Sequence, residues 1–439
     1  MTSRTQRLRV SENQRYLVHE DGTPFFYLGD TAWELFHRLN REEAQHYLAD
    51  RAAKGFTVIQ AVVLAELDGL QTPNANGDLP LWDLDPTRPN EDYFAHVDWV
   101  VEKAASLGLF IGMLPTWGDK WNKGTWGAGP ELFTPENARA YGAFLGARYR
   151  DAPLIWILGG DRNVETEQHR AVLRAMAEGV TDGDGGAHLR TLHPPGGQSS
   201  ARFFPDDDWL DFHLWQSGHG RNAANYDRIS ETYALSPPKP CLDSEPGYED
   251  HPAGFDLNNG HLDDYDCRKA LYWALFAGAC GHTYGCHDLW QMASPLRAAI
   301  SSARRPWYEA IHLPGAGQMR HAGALLLSRP YLSRVPDQSL IVSPVGEGTD
   351  HVQATRDADG SYALVYVPTY KTVTVDLSRL SGSPLDAWWF DPRSGLAQPI
   401  AGDLLAADGP REFTHPSGGL DWVLVLDDAA KSYGVPGQR

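Results

Sequence analysis

Between residues 24 and 304, short apolar runs alternate with longer segments in which apolar residues recur every three or four positions. The runs PFFYLGD (24–30), FTVIQAVVL (56–64), LFIGMLPTW (109–117) and LIWILGG (154–160) are nearly continuous and rich in β-branched and aromatic residues. That is the pattern of strands buried on both faces. Helical patterns separate them. NREEAQHYLADRAAKG (40–55) opens with Asn40 as N-cap and early acids and closes in Gly, and EDYFAHVDWVVEKAASLG (91–108) also ends in Gly. TPENARAYGAFLGARYR (134–150) has Thr134 as cap and Pro135 in its first turn, and EQHRAVLRAMAEGV (167–180) follows the fourth strand. The second half repeats the alternation less tidily. LRTLHPP (189–195), LDFHLWQ (210–216), KPCLDSEPG (239–247) and GHTYGCHDLW (281–290) read as four more strands, the last with its loop. Helices are predicted over 223–235, over 263–279 with Asp263 or Asp264 as cap, and over 294–304. The fifth crossing, SSARFFPDDDW, is short and broken by proline.

Eight strand–helix units in one run predict an α/β fold, a (β/α)8 TIM barrel. A doubly wound dinucleotide-binding sheet would carry G-x-G-x-x-G after its first strand, and YLGDTAWEL is not that. The leading RLRVSENQRYLVHEDGTPF alternates like a hairpin with EDG at its turn, placed to close the N-terminal end of the barrel. Past residue 335 the style changes. SLIVSP, SYALVYVPT, TVTVDLSRL, DAWWFDPRSG and DWVLVLDD are short strands punctuated by Gly, Pro and Asp, the pattern of a small all-β sandwich. The expected organisation is a barrel over 1–335, a sandwich over 336–428 that braces it, and an untethered tail over 429–439.

Composition narrows the function. The 439 residues are 42 % apolar and 22 % charged, ordinary values for a globular protein, and no long apolar run is present. A net charge of −19 argues against nucleic acid or an anionic membrane as partner. The four cysteines, Cys241, Cys267, Cys280 and Cys286, suit free buried thiols, and CGHTYGCHD lacks the spacing of zinc ligands. MTSRTQRLRV has no apolar signal-peptide core, so a cytoplasmic location is expected.

In such a barrel, chemistry sits where strands end. That rim would carry Asp30 and Trp33, then Gln60 and Glu66, then Trp117, Asp119, Trp121 and Trp126. Asp161, Arg162 and Asn163 follow the fourth strand, and His193 the fifth. His213 and Trp215 lie on the sixth, Glu245 follows the seventh, and Tyr284, His287 and Trp290 surround the eighth. Carboxylates, imidazoles and aromatic faces are the groups that grip sugars: ring C–H faces stack on indole, and the polar groups take hydroxyls. Fifteen tryptophans fit that role. Asp161 and Glu245 end strands on opposite sides of the barrel, so they can flank one bound ring, as glycoside hydrolysis requires. Either could instead serve structure: a strand-end Asp before Arg-Asn is often a turn residue, and Asp30 could cap a helix or loop. The rim could also bind a sugar without cleaving it.

FFYLGDTAWEL, WILGGDRN and LDSEPGYE, in this order before a trailing sandwich, resemble the apiosidase-like proteins of glycoside hydrolase family 140. The resemblance implies a barrel without metal or organic cofactor and a retaining double displacement. It assigns Asp161 as acid/base and Glu245 as nucleophile. Substrate binding would fall to Asp30, Trp33, Trp117, Trp121, Asn163, His193, His213, Trp215, Tyr284, His287 and Trp290. The implied substrate is a small glycoside or oligosaccharide carrying a β-linked furanoside, D-apiose above all, with another pentofuranoside as the alternative. The trailing domain resembles a family named for collagen binding, which is no ground for expecting that activity here.

Overall fold

In the computed structural model, which describes residues 7–124, 126–402, 404–406 and 409–438, all eight runs form parallel strands of one curled sheet. They are β1 Tyr27–Thr31, β2 Val58–Leu64, β3 Phe110–Thr116, β4 Leu154–Gly159, β5 Arg190–His193, β6 His213–Gln216, β7 Cys241–Asp243 and β8 Gly281–Tyr284. The sheet order is β5-β4-β3-β2-β1-β8-β7-β6, with the short strand Gln198–Ser199 antiparallel to β6. Pairing of β8 with β1 closes one side. The two ends of the sheet meet without a ladder: the Asp211 amide donates to the Arg190 carbonyl at 2.9 Å, and Thr191 Oγ1 to the Phe212 carbonyl at 2.7 Å. The result is a TIM-like barrel with one seam.

The helices are α1 Arg41–Ala53, α2 Glu91–Ser106, α3 Pro135–Tyr149, α4 Glu167–Asp184, α5 Asn225–Tyr233 and α6 Asp264–Phe276. Their starts follow side-chain chemistry. Asn40 with Glu43, Thr134 with Asn137, and Asp263 with Asp266 each form reciprocal capping boxes. The helix expected over 294–304 does not form. This segment is a loop, with Ser301 and Ser302 in left-handed backbone conformations. Asp288 Oδ1 accepts from the amides of Arg304 and Arg305, and Gln291 Oε1 from that of Ile300, so side chains take the donors a helix would have used. Short helices between Trp307 and Leu327 fill the eighth position instead.

The leading segment is a three-stranded sheet, Leu8–Val10, Leu17–His19 and Pro24–Phe25, whose Phe25 ring meets Phe110 edge-on at the start of β3. The C-terminal domain pairs a six-stranded antiparallel sheet with a two-stranded one around its own apolar core. It docks on α6. Arg268 makes a buried two-pronged contact with Asp421 (3.0 and 3.1 Å), Trp273 Nε1 donates to the His351 carbonyl (2.8 Å), and Tyr272 stacks on Tyr366. The segment after residue 428 is tied down rather than loose. Tyr433 hydrogen-bonds Ser361 at 2.7 Å, and the Gly437 amide donates to Ser328 Oγ at 3.1 Å. Among the described residues, no helix is long and apolar enough to cross a membrane.

Candidate active site

Two glycines and an aspartate in positive-φ conformations end β4. A Cβ on Gly159 would stand 2.6 Å from the His193 carbonyl, and one on Gly160 would stand 2.7 Å from the Gly118 amide. Only glycine fits where three loop backbones converge this closely. Asp161 takes the left-handed conformation that Asp tolerates better than most residues, at φ 54°. Arg162 then anchors the turn. Its guanidinium donates to the carbonyls of Asp161 (2.8 Å) and Trp126 (2.7 Å) and lies 4.1 Å over the Trp126 ring. The turn is thus tied to the loop after β3, and the Asp161 carboxyl faces the barrel mouth.

Glu245 stands two residues past β7, held by backbone bonds on both sides. The Ser244 amide donates to the Trp215 carbonyl, and the Gly218 amide to the Glu245 carbonyl. Two histidines flank its carboxylate. His193 Nε2 lies 2.8 Å from Oε2, short of regular hydrogen-bond alignment, and His219 Nε2 lies 3.5 Å from Oε1. Beneath them, buried Asp243 accepts from Ser217 Oγ (2.6 Å) and Asn225 Nδ2 (3.0 Å), which fixes the loop that carries His219.

Asp161 and Glu245 line one cavity of about 900 Å³ at the C-terminal ends of the strands. Their environments oppose each other. Burial, reinforced by the Glu245 charge, raises the Asp161 carboxyl to about 6. Burial would raise Glu245 as well, but the two histidines outweigh it and hold that carboxyl well below the usual carboxylate range. One acid keeps its proton at mildly acidic pH while the other has lost it.

Aromatic rings surround the pair. Trp33 and Trp117 pack at 5.2 Å against each other and within 5.8 Å of His193. On another wall His219 stacks on His251 (4.2 Å), which meets His287 edge-on (4.3 Å). Burial lowers His251 to about 2 and His287 to about 4, so both rings are neutral. His287 Nε2 donates to the Ser301 carbonyl, and Nδ1 accepts from Trp290 Nε1. Two rings project at the mouth: Trp126, 49 % exposed, and Phe255, 66 % exposed.

Of the residues expected at the site, Asp161, Glu245, Trp33, Trp117, Asn163, His287 and Trp290 line the cavity. Six others do not. Asp30 points out of the barrel and accepts from Tyr47 and from Arg51 Nε (2.6 Å) of α1. Tyr284, its neighbour across the sheet, donates to Glu249. Trp121 donates to the Gly159 carbonyl and packs against His169 of α4, and Trp215 lies below Arg228 of α5. His213 is buried, 3.5 Å from Ser200 Oγ. His193 is wholly buried and reaches the chemistry only through Glu245. Strand alternation explains the outward pair Asp30 and Tyr284: a residue at a strand's end is not thereby on its inner face. Glu66, Gln216, His219, Tyr248, His251 and Phe255 also line the cavity. Glu66 was expected on the rim after the second strand; of the rest, the glycine-flanked His219 after β6 carried a signal that the sequence reading did not use.

A barrel of this form with paired, differently ionised carboxyls at its mouth belongs to the glycoside hydrolases. Residues 11–333 match the family described as "Apiosidase-like, catalytic domain", and residues 335–427 match "Putative collagen-binding domain of a collagenase". The chain belongs to the apiosidase-like family. A solved glycoside hydrolase shares 36 % identity over 98 % of both chains with a TM-score of 0.89. A glycoside hydrolase family 5 structure from Bacteroides vulgatus ATCC 8482 shares 36 % identity over 98 % of this chain and 95 % of that one, with a TM-score of 0.90. No curated protein sequence matches the chain.

Proposed function

We propose that the protein is a retaining glycosidase that releases D-apiose from a β-linked apiofuranoside of plant origin, with Asp161 as acid/base and Glu245 as nucleophile. The observation that carries the reading is the opposed ionisation of these two carboxyls in one aromatic-walled cavity. In the first step the Asp161 proton passes to the glycosidic oxygen as Glu245 attacks the anomeric carbon. The aglycone leaves as an alcohol and the sugar is held as an ester of Glu245. Esterification removes the charge that helps hold the Asp161 proton. Asp161, having given up its proton, therefore becomes more acidic and stays ionised in the intermediate. It then takes a proton from the water that attacks the anomeric carbon and frees Glu245. Trp126 and Phe255 stand where the aglycone would leave, and their exposed faces suit an aromatic or sugar aglycone.

The direct test is proton NMR of 4-nitrophenyl β-D-apiofuranoside hydrolysis. The first-formed sugar should be the β-anomer; the α-anomer first would replace double displacement with inversion. Failure to cleave this substrate, with turnover of an arabinofuranoside instead, would reassign the sugar and leave the acid pair in place.

The pH dependence of kcat/KM follows from the same pair. Activity needs Asp161 protonated, so it should fall about tenfold per pH unit above about 6. It needs Glu245 ionised, and that carboxyl stays ionised well below the usual carboxylate range, so the acid side should stay flat through ordinary carboxylate titration. An optimum at pH 8 would contradict these assignments.

A further inference from the structure

A third carboxyl lines the cavity beside the reacting pair. Glu66 follows β2, and the backbone on each side of it is pinned. Lys120 Nζ donates to the Ala65 carbonyl at 2.7 Å, and the Leu67 amide donates to Glu34 Oε1 at 3.0 Å. The contrast with Glu34 is informative. Both oxygens of that buried acid are engaged, Oε2 by His37 Nδ1 at 2.7 Å and Oε1 by Leu67. The Glu66 carboxyl has no hydrogen bond or ion pair from any described residue and borders the cavity. A polar group held on fixed backbone with no protein partner is placed to meet a ligand.

We propose that Glu66 is a substrate-binding residue whose carboxyl donates to one sugar hydroxyl and accepts from its neighbour on the same ring. The inference rests on the glycosidase reading above and extends it to the sugar's vicinal diol. Donation requires the protonated form, and the surroundings favour it. Glu66 faces Asp161 from the β4 turn, Glu34 from the segment after β1 and Asp119 from the loop after β3. Arg162 is the opposing cation, and it is occupied with backbone carbonyls and Trp126. Burial first, then these acids, raise the Glu66 carboxyl to about 8. A neutral acid here avoids a second negative charge in the cavity that holds ionised Glu245, and it offers one donor and one acceptor to a cis-diol.

The test compares E66Q and E66A with 4-nitrophenyl β-D-apiofuranoside. The amide keeps one donor and one acceptor, so E66Q should retain kcat/KM within about fivefold, while E66A should lose about 10- to 100-fold. The E66A loss should disappear with a monodeoxy analogue that lacks one hydroxyl of the diol, a result that mere structural support would not produce. Equal damage in E66Q and E66A would mean that the anion is needed and would overturn the proposal, as would full activity in E66A. An infrared difference spectrum, wild type minus E66Q at neutral pH, provides a readout free of substrate. A protonated-carboxyl C=O band assigned to Glu66 supports the donor, and a carboxylate band in its place refutes it. If wild type leaves the apioside uncleaved, the apiose reading fails while the band still decides the state of Glu66.

Discussion

If Glu245 is the proposed nucleophile, Glu245→Ala should lower kcat on 4-nitrophenyl β-D-apiofuranoside by roughly 10⁴-fold or more, because the carboxylate that forms the covalent bond is gone. The substitution leaves His193 and His219 facing space, and azide can occupy it. Added azide should restore turnover and give the α-glycosyl azide, the product of one inverting attack. Asp161→Ala should behave differently. Its loss should be large for alkyl aglycones, about 10²- to 10⁴-fold, and small in the first step for a dinitrophenyl aglycone, which leaves without a proton. Steady-state and burst kinetics on the two substrates separate these cases. Equal losses on both would remove Asp161 from the acid role, and unchanged activity in Glu245→Ala would remove the covalent mechanism.

Asp30→Ala should be the costliest substitution for folding among the residues discussed, at about 3–5 kcal/mol. Arg51 is fully buried, and its Nε donates to Asp30 at 2.6 Å. Among the described residues, its remaining ion pair would be with Asp50, on one Nη. Tyr47 would lose its acceptor as well. Denaturant unfolding of the barrel followed by tryptophan fluorescence measures the loss. The folded enzyme should keep its KM, since Asp30 lies outside the cavity. A raised KM with normal stability would return Asp30 to the substrate.

The placement of Asp161 and Glu245 was legible because chain chemistry announces both. A buried strand that breaks into Gly-Gly-Asp cannot continue its ladder, and a Glu before proline is held extended. Strand number and helix starts were legible for similar local reasons, as the three capping boxes illustrate. Inward against outward direction was not. Asp30, Tyr284, Trp215 and His213 lie on the predicted strands, but the partner that claims each one comes from a distant segment: Arg51, Glu249, Arg228 and Ser200. The loop over 294–304 was misread because SPLRAAISSAR has helical composition, while Asp288 and Gln291 capture its amides from outside. The histidine wall was missed because His219 and His251 belong to loops after different strands, and their stacking is a property of the assembled barrel.

The docking of the C-terminal domain on α6 has a mechanical consequence. That helix follows the loop that carries Glu245, Tyr248 and Phe255, and its Arg268 pairs with Asp264 of the same helix and, across the domain boundary, with the fully buried Asp421. A cut at residue 335 would take Asp421 from that guanidinium, leaving it Asp264 and Gln318, and would bare the Tyr272 ring. The sandwich thus serves as a buttress behind the Glu245 side of the barrel, and the two halves should melt together.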